Sequence, residues 1–387
     1  MVEPSTPDTD GVMSIPSTTR FCRLADGMRV AYATKGAGRP LVMVPGWLCH
    51  LDGSWSHPSA ASARDRFAAE HAFTWYDRLG CGLSDRQGFE VCLDNDVEQL
   101  TAVMDSAGIQ RASLIGYSLG GPPATVFASR FPDRVDRLVL YSAFARGSAV
   151  TTPEGFDALQ QVVAMDWSIG SRTLATMLLP NAGSRDLRWF TRFQIAAARA
   201  EMAAALIEHM RSMDVREILP RVRTPTLVLH DRHDRAIPLE AGRELAALLP
   251  SARLQVLEGN EHDPFIRDSG DVVDAILDFV NDRPHIRRKA AAPPASGLTA
   301  RECEVLRLIA VGASNKRIAA DLGIAVTTVE RHVTNLYRKI DAQGRADAAM
   351  SAVAMGLVSP GPSADGRTGY PGARARGSRD DRAMDAT

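Results

Sequence analysis

Nothing in the 387-residue sequence approaches the roughly 20 consecutive apolar residues that a membrane helix requires, so no spanning segment is expected. An excess of charge is missing as well: the formal net charge is −1, which excludes a uniformly basic coat for nucleic acid and leaves room for one small basic face. Cysteine is sparse. Cys22, Cys49, Cys81, Cys92 and Cys303 are odd in number, scattered and without a CxxC pair, which excludes a disulfide framework or a zinc site and fits a reducing compartment. Met1–Thr19 has neither the positive nor the apolar segment of a secretory signal. A cytoplasmic protein without metal or cofactor is expected. What is present is ordinary: 45% hydrophobic and 24% charged residues suit a sizeable core, and the length suits one large domain plus a small one.

The polar, Pro-containing start (1–19) reads as unstructured. From Phe21, FCRLADGMRVAYATKG reads as a hairpin turning at Asp26-Gly27. Short apolar runs then recur at 41–46, 72–77, 112–118, 137–142, 225–230 and 254–259. Helix-length segments such as 91–107 and 120–131 separate them, the pattern of parallel strands with crossover helices. Between about 146 and 213 the pattern turns helical, as a lid inserted into the sheet domain. A last helix at 269–281 closes a domain spanning 20–285. The basic, Pro- and Ala-rich residues to 297 read as a linker (286–297), 298–358 as a compact helical unit, and 359–387 as a disordered tail.

Gly116-Tyr117-Ser118-Leu119-Gly120-Gly121 lies between an apolar run and a helix. A nucleophile on a tight strand-to-helix turn needs such small neighbours, because side chains there would clash with the backbone. Serine is a poor nucleophile alone and requires a base and an orienting acid. Downstream, TLVLHDRHDRAIP offers Asp231 and Asp234, and LEGNEHDP offers His262. Taken singly, each of these residues is more simply a turn, cap or surface-loop residue; their order is the informative feature.

Residues 20–285 resemble the α/β-hydrolase superfamily through VPGW, DRLGCGLSD at 77–85, the serine elbow, the acid loop and the histidine loop. The resemblance implies an α/β-hydrolase fold with a helical lid, Ser118 as nucleophile, Asp234 as acid and His262 as base. It also implies an oxyanion hole from the N–H groups of Trp47 and Leu119, with Trp47 and Tyr117 in the pocket. Asp231 stays a rival to Asp234. Lid residues Met165, Trp167, Met177, Trp189, Phe190, Phe193 and Met202 either line a cavity or pack the lid.

In 298–358, Leu306, Ile309 and Ala310 mark one helix, and Ile318, Ala319 and Leu322 a second spanning 315–322. Val329, Val333, Leu336 and Ile340 then form one buried stripe on a third, opposite Thr328, Arg331, His332, Asn335 and Arg338. A short helix, a glycine turn and a helix with polar outer face describe a helix-turn-helix. The segment resembles the LuxR-type DNA-binding domain from LTARE through GASNKRIAADLGI and TVERHVTNLYRKI to the Ala-rich end. By that resemblance Thr328, Val329, Arg331 and His332 approach the major groove, and Asn315, Lys316, Thr327 and Lys339 hold the backbone. Ala325 stands where the family usually has the N-cap serine of the third helix.

Together these features predict a transcription regulator that senses a small acyl or ester-type compound, by binding or by slow turnover, and binds double-stranded DNA; the LuxR-type resemblance implies a homodimer pairing through about 345–355, where Ala346, Ala349 and Val353 repeat at helical spacing. A serine hydrolase with its own metabolic role, and a non-catalytic sensor on the same fold, are the alternatives.

Overall fold

The computed structural model describes residues 19–260, 262–266, 270–283, 298–340, 342, 344–355 and 357, which fall in two compact units. The stretches expected as unstructured start (to 18), linker (286–297) and tail (359–387) lie outside the described residues.

In the first unit, β1 (Arg20–Arg23) and β2 (Arg29–Lys35) form a hairpin whose turn needs Gly27 at φ 89°. Strands and helices then alternate: β3 (Arg39–Val44), α1 (Pro58–Glu70), β4 (His71–Tyr76), α2 (Leu93–Ser106), β5 (Ala112–Tyr117), α3 (Gly121–Arg130) and β6 (Val135–Tyr141). Four lid helices follow: α4 (Pro153–Met165), α5 (Trp167–Leu178), α6 (Ser184–Ala197) and α7 (Ala200–Ser212). The unit ends with β7 (Thr226–Asp231), α8 (Leu239–Leu248), β8 (Ala252–Leu257) and α9 (Gly270–Val280).

The described strands form one sheet in the order β1-β2-β4-β3-β5-β6-β7-β8. It is antiparallel at β1/β2 and β2/β4 and parallel beyond. β3 shows why its central strands are continuously apolar. Val42 and Val44 belong to the core on the side of α2, α3 and α8, while Leu41 and Met43 belong to the core on the side of α1 and α9. Both faces are therefore core, and each such side chain contributes roughly 1.5–3 kcal/mol on burial. Because the parallel strands share one direction, the loops leaving β3, β5, β7 and β8 gather at one edge.

The lid leaves and re-enters this edge through a narrow neck, where Arg146 bridges Asp214 and Gly147 and Val215 donate their N–H groups to Met213 and Ala145 carbonyls. Asp166 caps α5 by accepting from Ser168 and Ile169 N–H, and Thr152 caps α4 through Gly155 N–H.

The second unit comprises α10 (Ala300–Ala310), α11 (Asn315–Leu322), α12 (Val326–Ile340) and α13 (Arg345–Ala354). Thr299 and Glu302 form a capping box on α10, and Ser314 caps α11, which ends at Gly323 in the left-handed conformation, φ 64°. Leu306, Ile309, Ile318, Leu336, Ala348 and Ala352 fill the centre. The inner face of α13 is thus Ala348 and Ala352, leaving Ala346 exposed and Ala349 half-buried; the side chain of Val353 lies outside the described residues. No described helix is long and apolar enough to cross a membrane.

Candidate functional site

Ser118 directly follows β5 and starts the turn into α3 with φ 51°, a left-handed backbone that a non-glycine residue adopts only under constraint. The constraint is close packing on both sides. A Cβ on Gly116 would lie 2.9 Å from the Cβ of Ala124, and one on Gly120 would lie 2.4 Å from the Val44 carbonyl oxygen and 2.7 Å from that of Pro45. Gly120→Ala is accordingly expected to destabilise this unit by about 1–3 kcal/mol in denaturant unfolding, because the atoms it strikes are backbone and cannot turn aside. Unchanged stability would show that the turn is looser than its geometry implies.

Three loops bring the expected side chains together. Ser118 Oγ lies 2.8 Å from His262 Nε2, and His262 Nδ1 lies 2.8 Å from Asp234 Oδ2. All three are buried. Asp234 Oδ1 also accepts from the N–H groups of Ala236 (2.9 Å) and Ile237 (3.1 Å), which fixes the carboxylate. Burial works to raise the Asp234 pKa, but the His262 charge and these hydrogen bonds hold it at about 2. Burial likewise works to lower the His262 pKa, and the Asp234 charge and hydrogen bond outweigh it, leaving it above the ordinary imidazole value. With Nδ1–H donated to Asp234, Nε2 is left to accept the Ser118 hydroxyl proton, the arrangement a serine needs to attack a carbonyl. Asp231 faces elsewhere: its Oδ2 accepts from Tyr141 Oη at 3.3 Å, and it packs on Gly259.

His262, Tyr117 and Trp47 line a cleft of about 780 Å³, its open part included. Among the lid residues, Trp189, Phe190 and Phe193 line it too. Met165 and Met177 are exposed, Trp167 packs within the lid, and Met202 lies against Gly80. Trp55, Trp75, Phe265 and Ile266 also line the cleft and were not legible as site residues, since they come from three separate segments with no shared motif. The main chain of the histidine loop is tied to the lid, with His262 N–H donating to the Leu178 carbonyl at 3.1 Å.

A second buried cluster lies behind the Pro45-Gly46-Trp47 loop. Arg78 Nη1 donates to Gly46 O (2.8 Å) and Nη2 to Pro45 O (3.2 Å), while Nε donates to Asp96 Oδ1 at 2.9 Å. Asp96 Oδ2 pairs in turn with His209 Nε2 of lid helix α7 at 3.0 Å.

Residues 39–269 match the family model of the alpha/beta hydrolase fold. The chain belongs to that family. Residues 296–352 match the model of bacterial regulatory proteins of the luxR family, so one chain joins a hydrolase-fold domain to a LuxR-type DNA-binding domain. The chain is 28% identical to the 2-hydroxy-6-oxo-2,4-heptadienoate hydrolase of Pseudomonas putida, over 66% of its own length and 94% of that protein. It is 26% identical to the non-heme chloroperoxidase CPO-A1 of Kitasatospora aureofaciens, over 62% and 91%. A solved esterase of Exiguobacterium antarcticum shares its fold at TM-score 0.60 and 20% identity, covering 67% of this chain and 98% of the esterase.

In its DNA-binding domain, Thr327, Arg331 and Arg338 of α12 are exposed, and Thr328, His332 and Asn335 are half-buried. Val329 does not belong to this surface. It is fully buried in the helical core, so the groove contact implied for it by resemblance is replaced by a packing role. Lys316 is exposed; Asn315 Oδ1 accepts from Arg345 at 3.2 Å, and Lys339 Nζ is paired with Glu302 at 2.7 Å. Ala325 contributes only its carbonyl to the start of α12, accepting from Thr328 and Val329 N–H.

Proposed function

We propose that this chain is a transcription regulator whose hydrolase domain binds and hydrolyses a small ester-type ligand, with ligand occupancy altering its hold on double-stranded DNA. The observation carrying the enzymatic half is Ser118 at φ 51° with its Oγ 2.8 Å from His262 Nε2. Such strain persists where the surroundings over-determine it, and here it holds the hydroxyl against a base. In this reading Ser118 Oγ attacks the ester carbonyl as its proton passes to Nε2. Asp234 steadies the imidazolium, and the N–H groups of Leu119 and Trp47 receive the oxyanion. His262 then gives the proton to the departing alkoxide. Water, deprotonated by the same imidazole, releases the acyl group from Ser118. Relatives named as hydrolases and esterases support acyl chemistry. No metal or cofactor enters these steps.

The LuxR-type domain supports DNA as the macromolecular partner of a cytoplasmic protein. Arg331, Thr328 and His332 face the groove, with Lys316, Thr327, Asn315 and Lys339 on phosphates, and a homodimer reaches two half-sites. The test titrates a duplex selected from random sequence by the full chain, using Ser118→Ala protein with and without saturating methyl 4-phenylbutanoate. A change in DNA affinity of at least about fivefold is expected, the lower end of ordinary coupling. Arg331→Ala is the control and should weaken binding by roughly tenfold. Identical affinity with the cleft occupied would reject the sensor and leave an esterase that merely rides on DNA.

A further inference from the structure

Two buried lid residues hold the Pro45-Gly46-Trp47 segment, one by a side chain and one through its main chain. Gln194 of α6 is fully buried; its Oε1 accepts from Trp47 Nε1 at 3.0 Å and its Nε2 donates to the Ser171 carbonyl of α5 at 2.7 Å. An indole nitrogen only donates and a carbonyl only accepts, so the amide has a single orientation and the Trp47 ring is pinned. His209 of α7 is 6% exposed, with Nε2 3.0 Å from Asp96 Oδ2. The carboxylate, paired with Arg78, only accepts, so that nitrogen donates. Neither Gln194 nor His209 lines the cleft.

The main-chain hold falls on one peptide group. Arg78 Nη1 donates to the Gly46 carbonyl at 2.8 Å, and that carbonyl shares its peptide plane with the Trp47 N–H. The peptide is trans, so the two groups point in opposite directions, and fixing the oxygen aims the hydrogen. Nη2 holds the preceding carbonyl, that of Pro45, at 3.2 Å, which keeps the plane from swinging. A guanidinium at the carbonyl end also polarises the peptide and makes its N–H a stronger donor. Among the described residues that N–H has no acceptor of its own, and Gly46 and Trp47 line the cleft. Arg78 Nε donates to Asp96 Oδ1 at 2.9 Å, and Asp96 Oδ2 takes the His209 proton. An unbroken path of hydrogen bonds therefore runs from lid helix α7 to the Gly46–Trp47 peptide.

We infer that Gln194 and His209 are positioning residues for the oxyanion hole: the seated lid, through the Trp47 indole and through Asp96 and Arg78, aims the Trp47 N–H at the ester oxygen. This rests on the ester-hydrolysis reading above and names the lid groups on which that chemistry depends. An oxyanion donor acts where charge develops, so an error in its aim falls on the transition state and spares the bound ester. Small misplacements of such a group are costly.

The test compares His209→Leu, His209→Gln and Gln194→Leu with the unaltered full chain. Glutamine can offer Asp96 an amide N–H in place of Nε2, whereas leucine fills space and donates nothing. With methyl 4-phenylbutanoate, kcat should fall about tenfold or more in both leucine variants while KM stays within about twofold. His209→Gln should regain most of the loss. Affinity for 3-phenylpropylboronic acid, whose boron takes up the Ser118 oxygen as a tetrahedral anion while the proton passes to His262, should fall in step with kcat. Affinity for the intact ester, measured by calorimetry on the same variants carrying Ser118→Ala, should hold; a lid merely loosened would weaken both. Trp47→Phe keeps a ring and deletes the indole N–H, and Gln194→Leu added to it should cost little more. That cycle decides the matter if His209→Leu does not fold. Unchanged kcat in the leucine variants, equal losses of ester and boronate affinity, or additive Trp47 and Gln194 effects overturn the proposal. If the unaltered protein hydrolyses the ester and the lid variants match it, this inference fails alone; if the unaltered protein neither binds nor hydrolyses the ester, the ester-hydrolysis reading fails with it.

Discussion

Ser118→Ala is expected to lower ester hydrolysis by on the order of 10⁴-fold or more and to abolish covalent labelling by a fluorophosphonate. The expectation follows from the two 2.8 Å contacts that link Ser118, His262 and Asp234 into one relay. Groups acting as one unit are not additive, so His262→Ala should cost about as much, and the double variant little more. Asp234→Ala should also be severe, because it frees the imidazole to turn and leaves its cation unsupported. Asp231→Ala should cost far less, since Asp231 bonds to Tyr141 rather than to the histidine.

The pH dependence has a definite sign. His262 works as a base only when neutral, and the Asp234 charge, outweighing burial, keeps its pKa above the ordinary imidazole value. The rate should therefore fall as pH drops through a midpoint above that value. A wild-type rate in the Ser118→Ala protein, or a limb centred below the ordinary imidazole range, would remove the relay from the mechanism.

Much of this site was legible in the sequence because its determinants are local. The strand, glycine, serine and glycine of 112–121 specify a turn whichever way the distant chain folds, and the buried runs of β3, β5 and β7 announce a covered parallel sheet. Ser314 and Gly323 mark the ends of α11 for the same reason. Helix α1 was not evident: its buried side is mainly Ala60, Ala63 and Ala68 around Phe67, too weakly apolar to show a period. The choice between Asp231 and Asp234 turns on which carboxylate the chain reversal after β7 aims at the histidine, and spacing alone leaves that open. At Val329 the helical spacing, which places it in a buried stripe, and the family motif, which places it at the groove, disagree, and the spacing holds. A position can match a family motif and still be spent on the core when its side chain points inward. Trp55, Trp75 and the Arg78–Asp96–His209 cluster were hidden because long-range packing assembles them, Asp96 and His209 alone being 113 positions apart.

That cluster leads to the second large effect: Asp96→Ala is expected to destabilise the hydrolase unit by about 3–5 kcal/mol, read as a drop in its denaturant midpoint. Arg78 is 2% exposed and Asp96 5% exposed, so the charge left behind has no route to water. Its other bonds, to the carbonyls of Pro45 and Gly46, satisfy donors without neutralising a cation. Burial works to raise the Asp96 pKa, yet the Arg78 charge and the His209 contact hold it below the ordinary carboxylate value. The sign of the linkage follows: the stabilisation is complete above the ordinary carboxylate pKa and is lost as pH falls through the lowered one. Asp96→Asn retains an acceptor for Arg78 Nε and should lose less than Asp96→Ala. Replacing both partners, in Arg78→Met with Asp96→Leu, removes the stranded charge and should recover part of the loss. Activity should not return with stability in that double variant, because the Pro45-Gly46-Trp47 loop then lacks the guanidinium that fixes its carbonyls. Equal midpoints for wild type and Asp96→Ala would mean that water reaches Arg78, and a fully active double variant would mean that the loop holds its shape unaided.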